Sequence, residues 1–214
     1  MTDKKILIDC QYLPPVSYFA LCLHASEVYI EQHEYFVKSS NRNRCYIASP
    51  NGLQMLSIPI HYGKSHKQLY KDVQASKEIA WQKNHWQSLC SAYRSSPFFE
   101  FYEDELYSFF HQEVSSVFEY NMNLFNKICS LLKIEIPIKY TESFKTNYEE
   151  LLDYRFLYRE MKYEHDMPEY TQVFGNRHGF LEDISILDLL FNMGPSAKTY
   201  LQDLENHLEF PMSH

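Results

Sequence analysis

Glycine is scarce. The chain has five in 214 residues, too few to expect a phosphate-cradling loop, and neither G-x-G-x-x-G nor a Walker A sequence occurs. G-x-S-x-G and H-E-x-x-H are also missing, which removes the nucleophile elbow and the two-histidine zinc helix. The five cysteines, at positions 10, 22, 45, 90 and 129, include no C-x-x-C, so neither a disulfide framework nor a zinc motif follows. Reduced thiols in a cytoplasmic protein is the simplest account. No window approaches the roughly 18 apolar residues of a membrane span, and Met1-Thr-Asp-Lys-Lys-Ile lacks the apolar core of a signal peptide. Positive charge is short as well. A net charge of −8 argues against nucleic acid as a partner, since backbone binding rests on clustered Lys and Arg. No motif names a cofactor or a metal, and no internal repeat or low-complexity segment interrupts the chain.

What is abundant is aromatic: 18 Tyr and 15 Phe. Such rings suit either a ring-rich core or a cleft for a sugar or nucleotide. The length fits one domain over residues 1–214, with a sheet-forming part at 1–75 and a helical part at 76–214. Residues 5–9 (Lys-Ile-Leu-Ile-Asp) read as a buried strand. Pro14 and Pro15 break it and open a helix over 15–24. Residues 28–31 then form a second strand, so the chain starts as a βαβ unit. Residues 44–48 and 53–58 flank Ser49-Pro-Asn-Gly52, a hairpin signal. Residues 61–74 read as a polar loop. Helices are expected from Ser76 onward, over 97–111, 115–132, 147–163, 186–192 and 196–207, with a short strand at 134–138 and a linker at 141–145. The fold class is therefore α/β or α+β: a small mixed sheet, from the βαβ unit plus the hairpin, with a mainly helical C-terminal half.

The densest chemistry lies between Glu31 and Arg44. Glu31, His33 and Glu34 sit at the end of the second strand, where α/β proteins carry functional side chains. They suit acid/base work or substrate contact. They would also suit a metal, with His61 or His66, or an ordinary solvated strand end. Lys38, Asn41, Arg42, Asn43 and Arg44 form a donor cluster. On an extended chain Asn41 and Asn43 would share one face, and Arg42 and Arg44 the other. Such a pair can clamp an anion, or bind nearby acids to hold the sheet edge. His85 and Tyr93, on one helix, would supply an opposite wall, or belong to the core. Tyr35 would add a ring. Cys10 is placed where a nucleophile could stand but reads more simply as a small buried residue.

Several segments resemble the WbqC-like family of bacterial proteins: Tyr18-Phe19, Glu31 through Lys38, Asn41-Arg-Asn-Arg44, Leu56-Ser-Ile-Pro59, Trp81-x3-His85, Tyr93-x3-Pro97-Phe-Phe, Tyr170-x-Gln172-Val-Phe174, and Ser185-x2-Asp188-Leu-Leu with Gly194-Pro195. They run in order across nearly the whole chain, and the Asn-Arg-Asn-Arg box is the most specific. Two departures stand out. Many members carry Gln-Pro where this chain has Asp9-Cys10, and the spacing from Tyr35 to Asn41 is shorter than in the commoner form. The resemblance implies surface-polysaccharide or O-antigen assembly, with transfer of an acyl or aminoacyl group such as glycyl to an amino sugar. On that reading His33 or Glu34 is the base, Arg42 and Arg44 hold an anionic group, and Lys38, Asn41 and Asn43 orient the substrates. The partners are then an amino sugar or nucleotide sugar and an acyl donor, with a homo-oligomer left open. Arg42→Ala is expected to abolish ligand binding and spare the fold. The other reading is a non-catalytic module that recognises a sugar or an acyl carrier protein.

Overall fold

The computed structural model describes residues 4–61, 67–155 and 167–208. Strand β1 (Lys5–Asp9) is followed by helix α1 (Val16–Leu23) and strand β2 (Glu27–Glu31). β1 and β2 pair in parallel, Lys5 opposite Glu27 and Asp9 opposite Glu31. The βαβ unit thus forms where the apolar runs and the Pro14-Pro15 break place it.

The hairpin also forms: β3 (Arg44–Ser49) against β4 (Gly52–Ser57), with Arg44 opposite Ser57. Gly52 has φ +97°, a conformation that a side chain would strain. The Ser49 hydroxyl accepts from the Asn51 amide and donates to the Gly52 carbonyl. The hairpin stands as its own two-stranded sheet and does not extend the parallel one. A second small pair joins β5 (Ile60–His61) to β6 (Gln74–Ala75).

Helix α2 (Trp81–Tyr93) begins five residues later than Ser76 suggests. The Ser76 amide instead bonds to the Pro59 carbonyl, just after β6. Then come α3 (Phe99–Tyr107) and α4 (Val117–Leu132), the latter capped by the Ser116 hydroxyl on the Glu119 amide. β7 (Ile138–Tyr140) lies C-terminal to the strand expected at 134–138. The largest departure follows. The apolar spacing at 147–163 suggests a helix, yet Leu152–Asp153 is strand β8, parallel to β1; residues 156–163 of that expected helix lie outside the described residues. A two-residue strand has almost no local signature, and its partner is about 145 residues away in sequence, so pairing overrides helical spacing. The chain closes with α5 (Gly175–His178), α6 (Ile186–Met193) and α7 (Ala197–Asp203).

The main sheet is wholly parallel, in the order β7-β2-β1-β8. Its outer strands come from residues 138–153, well past the expected sheet-forming part. Alternation divides its two faces. Ile6, Ile8, Val28 and Ile30 join the apolar core with Phe19 of α1 and Phe125 of α4. The opposite face carries Lys5, Leu7 and Asp9, then Glu27, Tyr29 and Glu31, then Lys139, and Asp153. Its middle row sets Tyr29 opposite Leu7 on one side and Lys139 on the other. This charged face positions the candidate site.

Candidate functional site at the carboxyl ends of the parallel strands

Asp9 and Glu31 end adjacent parallel strands, both almost fully buried. Buried carboxylates need partners, and each finds an arginine. The Arg42 side chain is 1% exposed. Its Nε donates to Asp9 Oδ2 at 3.1 Å, its Nη1 to the Tyr35 carbonyl at 3.0 Å, and its Nη2 to Glu34. The Tyr70 ring lies beneath the guanidinium, 5.1 Å away. Gln11 donates to the other Asp9 oxygen at 3.2 Å. Burial still raises the Asp9 pKa, outweighing Arg42.

The second arginine is one that sequence reading misses. The Arg155 side chain is also 1% exposed, and its Nη1 lies 3.7 Å from Glu31. It donates to the Asp153 carboxylate and to the Lys145 and Thr146 carbonyls at 3.0 and 2.9 Å. The Phe144 and Tyr148 rings lie 5.3 and 5.6 Å from it. Glu34 acts electrostatically on Arg155 as well as on Arg42, so the two groups form one network. Two guanidiniums face four carboxylates: Asp9, Glu31, Glu34 and Asp153.

Thr141 links this network to open space. Its hydroxyl donates to Glu31 Oε1 at 3.0 Å, and the Tyr148 hydroxyl, which donates to the Ser143 carbonyl at 2.9 Å, lies 3.4 Å from Glu31 Oε2. The Thr141 carbonyl lies 3.1 Å from His33 Nε2. A carbonyl only accepts, so Nε2 carries the proton and Nδ1 is left as the basic nitrogen. Thr141 and Tyr148 also line a cavity of about 950 Å³ on the charged face of the sheet, together with Lys5, Tyr29, Lys139 and the 142–151 segment. That segment is the expected linker and helix start. The signal that could have marked it is the outward set Lys5, Tyr29 and Lys139, since such polar side chains on one face of a parallel sheet need a polar cover.

The remaining expected site residues divide. Glu31, His33, Glu34, Tyr35 and Arg42 come together, as the sequence suggests. Residues 41–43 form a turn, so the alternation expected for 41–44 does not hold. The Asn41 carbonyl accepts from the Tyr12 amide at 2.8 Å. Asn43 is buried, donating to the Ile58 carbonyl at 2.9 Å. Arg44 opens β3, half-buried, with no ion pair among the described residues. Lys38 and Tyr35 are exposed, and Lys67 stands over the Tyr35 ring at 5.8 Å. His85 and Tyr93 form no wall of the cavity. His85 is buried against Trp81 and bonded to the Tyr12 hydroxyl at 2.8 Å; burial pushes its pKa down to about 4. The Tyr93 hydroxyl accepts from the Ala48 amide at 3.2 Å, and its ring packs on Phe191. Burial pushes the Cys10 thiol up, away from nucleophile chemistry. His61 is exposed, and His66 lies outside the described residues. Among the described residues no group of His, Cys, Asp and Glu is arranged to hold a metal ion, and no helix is long and apolar enough to cross a membrane.

Comparison with known proteins follows the same span. The model of the WbqC-like protein family matches residues 10–162, which begin just after β1 and include β2, the Arg42 turn, the cavity segment and Arg155. An uncharacterized protein of Mycobacterium tuberculosis, Rv1507c, is 26% identical over 230 residues, covering 93% of this chain and 97% of its own length. No solved structure matches.

Proposed function

The chain belongs to the WbqC-like protein family, and from that premise we propose that it is a cytoplasmic enzyme that transfers an acyl or aminoacyl group, such as glycyl, to the amino group of a sugar. Its partners are then small molecules, an acyl donor and an amino or nucleotide sugar, in the modification of surface polysaccharide. One observation carries the reading. Thr141 lines the cavity while its carbonyl orients His33 and its hydroxyl holds Glu31. Amide formation needs the amine nitrogen to attack the acyl carbonyl, its proton to move to a base, and the donor's leaving group to depart. His33 Nδ1 is the proton acceptor. Glu34, bonded by Arg42, is better suited to holding that cation than to accepting a proton. Glu31 fixes the His33 backbone, accepting from its amide at 2.6 Å.

The test is a transfer assay with acyl thioester and glycyl donors against a panel of amino sugars, read by mass gain on the sugar. The wild type should give product, and His33→Gln should slow it by roughly 10²- to 10⁴-fold. The second reading, a binding module, is favoured by the complete enclosure of Glu31. Sugar binding with no product from any donor would contradict transfer and support the module.

A further inference from the structure

The cavity is not assigned by any expectation drawn from the sequence. Its floor is the charged sheet face, with Tyr29 opposite Lys139 and Lys5 opposite Glu27. One carboxylate, Glu27, answers all three. It receives Lys139 at 2.6 Å, the Tyr29 hydroxyl at 3.0 Å, and Lys5 at 3.6 Å. The two floor cations therefore share one carboxylate. The opposite wall adds the exposed acids Glu142, Glu149 and Glu150 against the single cation Lys145, whose ammonium lies 5.6 Å over the Tyr148 ring. With Lys5, Lys139 and Lys145 set against Glu27, Glu142, Glu149 and Glu150, a phosphate entering here would meet a net negative surface.

An uncharged or cationic ring of hydroxyls meets the reverse. Its O–H groups find carboxylate acceptors in Glu142, Glu149 and Glu150, and its oxygens find the remaining ammonium protons of Lys139 and Lys145. Lys139 stands 5.6 Å over one face of the Tyr29 ring, and Lys145 and Arg155 stand over Tyr148, so a C–H face would pack on the part of Tyr29 that Lys139 leaves to the cavity. A volume of about 950 Å³ lies near the upper end of ligand pockets, roughly 300–1,000 Å³. That leaves space for a second group beside one ring.

We propose that this cavity seats a pyranose ring, in free or glycan-linked form, and does not seat nucleotide phosphates. The Tyr29 ring is its platform and the 142–151 segment its outer wall. The inference names the acceptor class of the transfer reading and rests on it for the cavity's role, but the binding itself is measurable alone.

The experiment is titration calorimetry with methyl glycosides of glucosamine, galactosamine and mannosamine and of their N-acetyl forms, beside UDP and inorganic phosphate. At least one glycoside should bind with a Kd of about 1–10 mM, and UDP and phosphate should bind more weakly than it or not at all. Tyr29→Ala should weaken the sugar by about tenfold or more. Phe101→Ala, an exposed ring outside the cavity, should stay within about threefold of wild type. Should Tyr29→Ala fail to fold, amide shift mapping on the wild type gives the same answer: the sugar must move Tyr29, Lys139 and Asn147. Tighter binding of UDP or phosphate than of every sugar, no sugar binding up to about 100 mM, or shifts confined to another surface would overturn the proposal. Sugar binding at Tyr29 without transfer would contradict the transfer reading and leave this one. Transfer to a sugar that maps elsewhere would do the opposite.

Discussion

Arg42 is charged, buried and bonded to two carboxylates, which changes what its removal does. The sequence suggests a ligand clamp that Arg42→Ala would empty while sparing the fold. In the structure the same change leaves buried Asp9 and partly buried Glu34 without their cation. Breaking one side of a buried ion pair costs about 3–5 kcal/mol. Arg42→Ala should therefore lower the urea midpoint sharply, and unchanged stability would contradict the network. Asp188 and His85 offer a second residue-scale test. Asp188 accepts from Tyr170 at 2.8 Å and from Gln172 at 2.9 Å, and burial pushes it up to about 6 from 3.8. The folded state then holds a proton that the unfolded chain releases. Its stabilising effect is present below pH 3.8 and is lost as pH rises through 6, about 3 kcal/mol in all. His85, pushed down to about 4 from 6.5, acts oppositely. Its effect is present above pH 6.5 and is lost as pH falls through 4. The two slopes offset between pH 4 and 6.5. Asp188→Asn removes one, so unfolding free energy in that variant should rise with pH across this window by about 3 kcal/mol relative to wild type. Parallel curves for the two proteins would contradict it.

At the scale of elements, local signals and distant partners divide the work. β1, β2 and the hairpin were legible because each carries its own instruction: an apolar run bounded by charge, or Pro-Asn-Gly between extended segments. α1 was legible from Pro15, but not its cap. Asp183 supplies that from 166 residues away, Oδ1 accepting from the Ser17 amide at 2.8 Å and Oδ2 from the Ser17 hydroxyl at 2.6 Å. Asp183→Ala should cost about 1 kcal/mol, the usual value of a helix N-cap, with α1 amides exchanging faster. The end of α6 is equally specific. Gly194 has φ +52°, and a Cβ there would come within 2.5–2.7 Å of the Phe98 ring. Gly194→Ala should lower the melting temperature by several degrees; an unchanged value would mean the chain does not turn as described. β8 shows the other limit. Two residues cannot announce a strand, and Arg155 could not be placed before β8 was.

For the whole molecule, the sequence motifs acquire a common reason. Tyr93, Tyr170, Gln172 and Asp188 come from three separated segments and converge on one buried carboxylate, so these motifs hold α2, the 170–174 segment and α6 together. The segment from Glu31 to Arg42 does something else. It carries the ion network that links the parallel strands to the cavity. Half of the candidate site was readable, because Glu31, His33, Glu34 and Arg42 are close in sequence and follow a strand end. Thr141, Tyr148 and Arg155 were not, because only the return of β7 and β8 to the sheet brings them there. His85 and Tyr93 were misplaced for a related reason. An aromatic or imidazole on a helix does not reveal whether core or cavity lies beneath it.

On the transfer reading, ligand chemistry takes place in the cavity between the charged sheet face and residues 142–151, where Thr141 reaches back to His33. Amide shift mapping of the wild-type protein with methyl glycosides of amino sugars tests this most directly. The largest shifts should fall at Tyr29, Lys139, Thr141 and Asn147, extending to His33. Shifts gathered instead on the hairpin around Arg44, with the cavity unmoved, would contradict it.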